Sequence, residues 1–193
     1  MDAITQSIRS ISPGISETAV EALRVLLTPV NVRRKTLLIR PNINDRNLYF
    51  IEKGFCRSYN VIEGKEVTSW FSKEGELTYS TNSIHGNTRG YENEHVQVLE
   101  DSLLYSIHIQ DLEKLCFENI EIANWFRMVY QKAFIEMERR LIFRLHMSAE
   151  ERYQDLCENN PTLFQRANIG YIASYLGMSH VTLCAIRKSH LFP

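Results

Sequence analysis

The sequence predicts an α+β chain in three parts: an antiparallel sandwich or roll of short strands, one long helix, and a small helical unit at the C-terminus. Three observations carry this. Short β-type runs separated by turn residues crowd the stretch 31–108. An apolar stripe of helical period then runs from about Ile120 to Met147. Beyond Ser148, capping residues, Pro161 and Gly177 divide the chain into short helices.

Composition sets the bounds. With 193 residues, the chain suits one large domain or two small ones. At 44% hydrophobic and 23% charged residues it has the make-up of a folded protein rather than a disordered one. No apolar run approaches the ~20 residues needed to cross a bilayer, so no membrane association is expected. Met1 to Arg9 has neither a basic start nor an apolar core, so no signal peptide is expected and the protein should be cytoplasmic. Cys56, Cys116, Cys157 and Cys184 form no CxxC pair; they read as reduced, mostly buried thiols rather than a metal centre. The net charge of −1 argues against a nucleic-acid surface spread over the whole molecule. Any such surface has to be local.

In chain order, residues 16–27 form an amphipathic helix: Ser16 is the N-cap, Val20, Leu23 and Leu27 share a face, and Pro29 stops it. The β-type runs are Thr36–Ile39, Leu48–Ile51, Phe55–Val61, Val67–Phe71, Val96–Leu99 and Leu103–Ile107. Lys53-Gly54, Glu63-Gly64 and Gly86-Asn87 lie between them, and Glu63-Gly64 suits a hairpin turn. Asp111 to Cys116 makes a short helix. In the long helix, Phe126, Val129, Ala133, Met137 and Leu141 recur at spacings of three or four. A stripe so long needs a partner. Part of it can cover the strands, and the rest is best covered by the same helix of a second subunit. Ser148 and Glu151 form a capping box, so Met147-Ser148 reads as a joint between domains. The next helix runs from Ala149 to about Glu158 and ends before Pro161.

The stretch 168–188 is the most informative. Ala173 is small where two helices would cross, and Gly177 suits a turn needing positive φ. Ile172 and Leu176 would point inward from a first helix, Leu183 and Ile186 from a second capped by Ser179. This pattern fits either a helix-turn-helix, whose second helix enters a major groove, or an ordinary αα-hairpin.

The run Ser148-Ala149-Glu150-Glu151-Arg152-Tyr153, followed by Pro161 and Ile172-Ala173-Ser174-Tyr175-Leu176-Gly177, resembles the shorter Bacteroidetes-type members of the Crp/Fnr family of transcription regulators. Phe50-Ile51-Glu52-Lys53-Gly54 fits that family's β-roll turn, and Leu99-Glu100-Asp101 its late strand. The resemblance covers nearly the whole chain. It implies an N-terminal antiparallel β-roll of the jelly-roll or double-stranded β-helix type at 1–118, with an N-terminal helix. A long dimerisation helix at 119–147 and a helix-turn-helix at 148–193 follow. It further implies a cyclic-nucleotide-binding type of sensor, a homodimer and double-stranded DNA as partner.

The chain departs from that family at named positions. In the second helix, Val181, Cys184 and Ala185 stand where the family carries Glu, Ser and Arg, and neither Val181 nor Ala185 can make a bidentate contact to a base edge. DNA contacts would fall to Ser179, His180 and Thr182 for bases and to Arg187 and Lys188 for phosphates. Acids and bases balance from Ala149 onward, and the residues up to Pro193 leave no room for a full wing. In the sensor, Gly75-Glu76-Leu77 looks like a phosphate-binding cassette, but strand alignment puts the cassette's Gly and Glu near Tyr79 and Ser80 and its Arg near Glu92. The phosphate-binding Arg is not evident, so cyclic AMP is not expected. Tyr79, Ser80, Thr81 and Ser83, with Arg89 nearby, could instead hold a different, unidentified small effector, or the roll could be unliganded and purely structural. His85, His95 and His108 lack cupin spacing, and no nucleophile motif or P-loop occurs, so no enzyme activity and no metal are expected. Two functions remain: a ligand-responsive, DNA-binding homodimer, or a degenerate relative that binds a small molecule or protein without reading specific DNA.

Overall fold

The computed structural model describes residues 2–41, 43, 45–81 and 94–191, the side chains of His190 and Leu191 excepted. Ser83, His85, Gly86, Asn87, Arg89 and Glu92 therefore lie outside the described residues.

The chain opens with α1 (Asp2–Ile11), a helix the sequence analysis did not anticipate. Its first three amides, of Asp2, Ala3 and Ile4, donate to the Glu52 carboxylate on a neighbouring strand, which satisfies the open end of the helix. α2 (Glu17–Val25) follows the expected cap, Ser16, which accepts from Ala19 N–H.

Two four-stranded antiparallel sheets form the roll. One has the order β1 (Thr28–Val32), β8 (Ser102–His108), β3 (Asn47–Lys53), β6 (Leu77–Thr78). The other has the order β2 (Leu37–Ile39), β7 (Glu94–Val98), β4 (Cys56–Ile62), β5 (Lys65–Ser72). β1 and β6 were not expected: β1 carries Pro29, tolerable on an edge strand, and β6 is too short to show a period. Between the sheets pack Ile39, Tyr49, Ile51, Cys56, Val96, Val98 and Leu104. Residues of opposite parity on the first sheet, Leu48, Phe50 and Ile107, face α1, α2, α3 (Ile109–Glu118) and the first turns of the long helix α4 (Ile120–His146). Phe50 stacks on Trp125 of α4 at 6.0 Å.

Two turns were legible beforehand. Glu63 and Gly64 have φ of 50° and 75°, both positive, as a two-residue type I′ hairpin requires. Gly54 has φ of 122°, and a methyl there would fall 1.9 Å from Ser102 Oγ. Only glycine fits this turn.

α4 is 27 residues long, capped by the Asn119 side chain. Its apolar stripe divides. Ile122 and Trp125 are buried and Phe126 and Val129 pack on the same core, whereas Phe134, Met137, Leu141 and Leu145 are 59–70% exposed. α5 (Ala149–Asn159) restarts after Met147 with both halves of the Ser148–Glu151 capping box in place. α6 (Leu163–Arg166), α7 (Ile169–Leu176) and α8 (His180–Leu191) complete the chain. Among the described residues no single helix is long and apolar enough to cross a membrane.

Candidate nucleic-acid interface

α7 and α8 turn through 98° about Gly177, which adopts the left-handed conformation at φ 68° and ψ 38°. Asn168 caps α7 through Gly170 N–H. Ser179 caps α8, accepting from Thr182 N–H at 3.0 Å, with its hydroxyl 2.7 Å from that of Thr182. Ile172, Ala173, Leu176 and Leu183 are buried with Leu156 and Leu163 in one small core. Pairs of helices meeting near a right angle over a short glycine turn are the helix-turn-helix arrangement.

The second helix presents its first turns to solvent. Ser179, His180, Thr182, Ala185 and Lys188 are exposed, and Val181 is 77% exposed. Cys184 is half-buried, its sulfur 3.7 Å from His180 Nε2. Arg187 differs from Lys188: its guanidinium lies over the Phe164 ring at 5.6 Å and interacts with Tyr153. It is therefore also a packing residue of the helical unit.

The unit is mounted on the roll by contacts that sequence reasoning missed. Thr68 N–H on the edge strand β5 donates to Ser174 Oγ at 2.9 Å, and that hydroxyl donates to Glu66 carbonyl at 3.0 Å. α7 thus closes part of an open sheet edge. Arg140 of α4 donates to Ser69 carbonyl and lies over the Tyr175 ring at 4.0 Å. Arg57, fully buried on β4, is held by Thr68 and Glu66 and sandwiched between the Tyr59 and Tyr171 rings at 4.3 and 3.6 Å. Arg166, at the end of α6, donates to Glu74, Glu100 and the carbonyl of Gly54 at 2.7–3.0 Å. Burial works against the Glu74 carboxylate, but hydrogen bonds from Arg166 and from Gly54 N–H prevail and bring its pKa down to about 2. No local pattern marks these arginines. They become partners only when strand, turn and helix meet.

In the roll, Tyr79 packs against the core around α4, and Ser80 is buried. Thr81 N–H donates to the Glu94 carboxylate at 2.7 Å, and the Ser80 and Thr81 side chains also bond that carboxylate. Burial raises the Glu94 pKa above the usual carboxylate range, against those hydrogen bonds. The Ser80 and Thr81 hydroxyls are therefore organised around an acid that sequence reasoning did not single out. Ser83 and Arg89, the other expected pocket residues, lie outside the described residues. A cleft of about 370 Å³ lies elsewhere, between Leu38, Arg40, Asp45 and Tyr49.

Of the expected dimer residues, Met137 and Leu141 are exposed, Ala133 is half-buried, and Phe126 and Val129 pack on the chain's own core. Only Cys56 of the four cysteines is buried, the others being half-buried, which corrects the expectation of mostly buried thiols. Burial pushes the Cys56 thiol pKa up to about 12. Among the described residues no three His, Cys, Asp or Glu side chains group as metal ligands. His95 stacks on Tyr59, and His108 caps α3.

Roll, long helix and helix-turn-helix together make the fold of the Crp/Fnr-type regulators. A transcriptional regulator of that family from Eubacterium rectale matches with a TM-score of 0.68 at 14% identity, over 92% of this chain and 84% of that one. The c-di-GMP-responsive global regulator CLP of Xanthomonas campestris matches at 0.68 and 13%, over 91% and 92%. FixK2 of Bradyrhizobium japonicum matches at 0.66 and 16%, over 84% and 83%. No family model matches the sequence, and no curated protein does. At these identities the likeness is one of fold.

Proposed function

We propose that the chain is a homodimeric, DNA-binding transcription regulator of the Crp/Fnr type, working in the cytoplasm. The observation that carries this is the capped, solvent-facing start of α8, set at 98° to α7 by a left-handed glycine. Ser179, His180 and Thr182 would meet base edges, Val181 and Ala185 thymine methyls, and Lys188 and Arg187 phosphates. The exposed stripe Phe134, Met137, Leu141 and Leu145 would be covered by the same helix of a second copy, and the half-buried Ala133 would adjoin that contact. Two reading helices would then address half-sites one helical turn, ~34 Å, apart. A small effector in the roll would act only by binding two arrangements of the helix-turn-helix unequally. The Glu94 carboxylate beside Ser80 and Thr81 favours a neutral or cationic effector over a cyclic phosphate.

A second reading rests on the same helix. Val181 and Ala185 face outward where bidentate side chains are needed, which supports a relative that binds a small molecule or protein without reading sequence. Selection of the purified protein against a random-duplex pool at two salt concentrations separates the two. A retained palindrome is the expected result. Retention that depends on salt but selects no sequence refutes the first reading.

A further inference from the structure

The helical unit needs cations for phosphate, yet two of its own are committed. Arg166 is held by Glu74 and Glu100, and Arg152 by the carbonyls of Leu176 and Met147. Positive charge is concentrated instead at the joint between α4 and α5. There a cavity of about 40 Å³ is lined by Arg139, Arg140, Arg144 and Arg152, with Asp155 and Tyr175. Arg139 is matched by Glu136 and Asp155. The acceptors of Arg140 and Arg152 are backbone carbonyls, which are neutral. Arg144 is exposed and has no hydrogen bond or ion pair among the described residues. Three guanidinium groups thus share one cavity without a carboxylate of their own. Burial lowers the pKa of Arg140; Arg144 and Arg139 push it the same way, while Tyr175 and Glu136 oppose them. A bound anion would relieve that repulsion.

We propose that this cavity is a phosphate-group site, with Arg144 as its main ligand and Arg140 and Arg152 on its walls. The cavity has more room than the about 10–15 Å³ that a single water needs. Guanidinium groups are also the side chains best shaped for a phosphate group. The position gives the site a consequence. A methyl on Gly177 would lie 2.8 Å from Arg144 Nη2, so the Arg144 guanidinium sits on the turn of the helix-turn-helix. An occupant would touch the end of α4 and that turn together, across the joint at Met147-Ser148. The phosphate group belongs either to a free small anion or to the DNA backbone beside the reading helix. The second source rests on the function proposed above, and the first does not.

Two titrations of the full chain test this, each with the Arg144→Gln variant, whose melting temperature without phosphate should match the parent. Inorganic phosphate is titrated calorimetrically against chloride at equal ionic strength, and the salt dependence of duplex binding is measured separately. Phosphate binding that weakens at least tenfold in Arg144→Gln, with an unchanged salt slope, assigns the site to a free anion. No phosphate binding, with a salt slope shallower by about one unit in the variant, assigns it to the DNA backbone. Both effects together support the site with either source. The proposal is overturned by phosphate binding that the variant retains, or by phosphate behaving as chloride with the salt slope unmoved. Should the chain bind no duplex, the calorimetric titration alone decides.

Discussion

Replacing Arg166 with Ala should loosen the helix-turn-helix on the roll. The substitution removes paired hydrogen bonds to Glu74 and to Glu100, one to Gly54 carbonyl, and the cover over the Phe55 ring at 4.6 Å. The Arg166 side chain is 21% exposed and the two carboxylates 36% and 37%, so both acids can rehydrate once the arginine is gone. Each pair is then worth about 1 kcal/mol, well under the cost of breaking a fully buried pair. The charged bond to Gly54 and the lost packing add about 1 kcal/mol, for a total of about 3 kcal/mol. Urea unfolding gives this directly. Hydrogen exchange of Thr68 N–H, which is held by Ser174, shows whether the loss is felt at the interface. The pH dependence is a second check. Glu74 has a folded pKa depressed to about 2, so its contribution is complete above the ordinary carboxylate pKa and fades as pH falls towards 2. The gap between parent and variant should narrow over that window by the Glu74 share, about 1 kcal/mol. A loss under about 1 kcal/mol, or a gap that stays constant from pH 5 to pH 2.5, would refute the clamp.

Other outcomes follow from single contacts. Gly54→Ala places a methyl 2.9 Å from Ser102 Cα as well as on its hydroxyl, and should cost about 3 kcal/mol or more; Gly64→Ala, with open space around it, should cost only about 1 kcal/mol, both read by thermal melting. Leu141→Glu should convert dimers to monomers in sedimentation while leaving the monomer's melting temperature within about 2 °C, because Leu141 is 59% exposed in the single chain. Lys188→Ala should flatten the salt slope of duplex binding by about one unit with stability unchanged. Arg187→Ala should do the same and also cost about 0.5–1 kcal/mol, because its guanidinium covers Phe164.

What was legible in the sequence was local. The capping box at Ser148, the caps at Ser16 and Ser179, the positive φ of Gly177 and the Glu63-Gly64 turn depend on residues within a few positions of each other. So do the periods that gave α4 and most of the strands. The missed features are those in which a residue's partner is far along the chain. α1 has its N-terminus satisfied by Glu52, and β6 is a strand only because it pairs with β3. Phe126 and Val129 lie on the same helical stripe as Met137, and no periodicity tells where along that stripe the roll ends and solvent begins.

The resemblance pointed further than its stated content. Lys53-Gly54 and Glu100 were singled out as β-roll residues, yet the structure gives them a second task, since the Gly54 carbonyl and the Glu100 carboxylate both receive Arg166 from the helical unit. The roll turn and the helix-turn-helix are thus constrained as one surface. Because Gly54 admits no side chain and Glu74 is held by Gly54 N–H, a shift of this turn would move both carboxylates relative to Arg166. Any effector that displaced β3 or the 99–101 turn would therefore act on the mount before it acted on α8. In Arg166→Ala, with that link cut, duplex affinity should cease to respond to whatever small molecule alters it in the parent chain. A response of unchanged size would show that the signal travels through α4 instead.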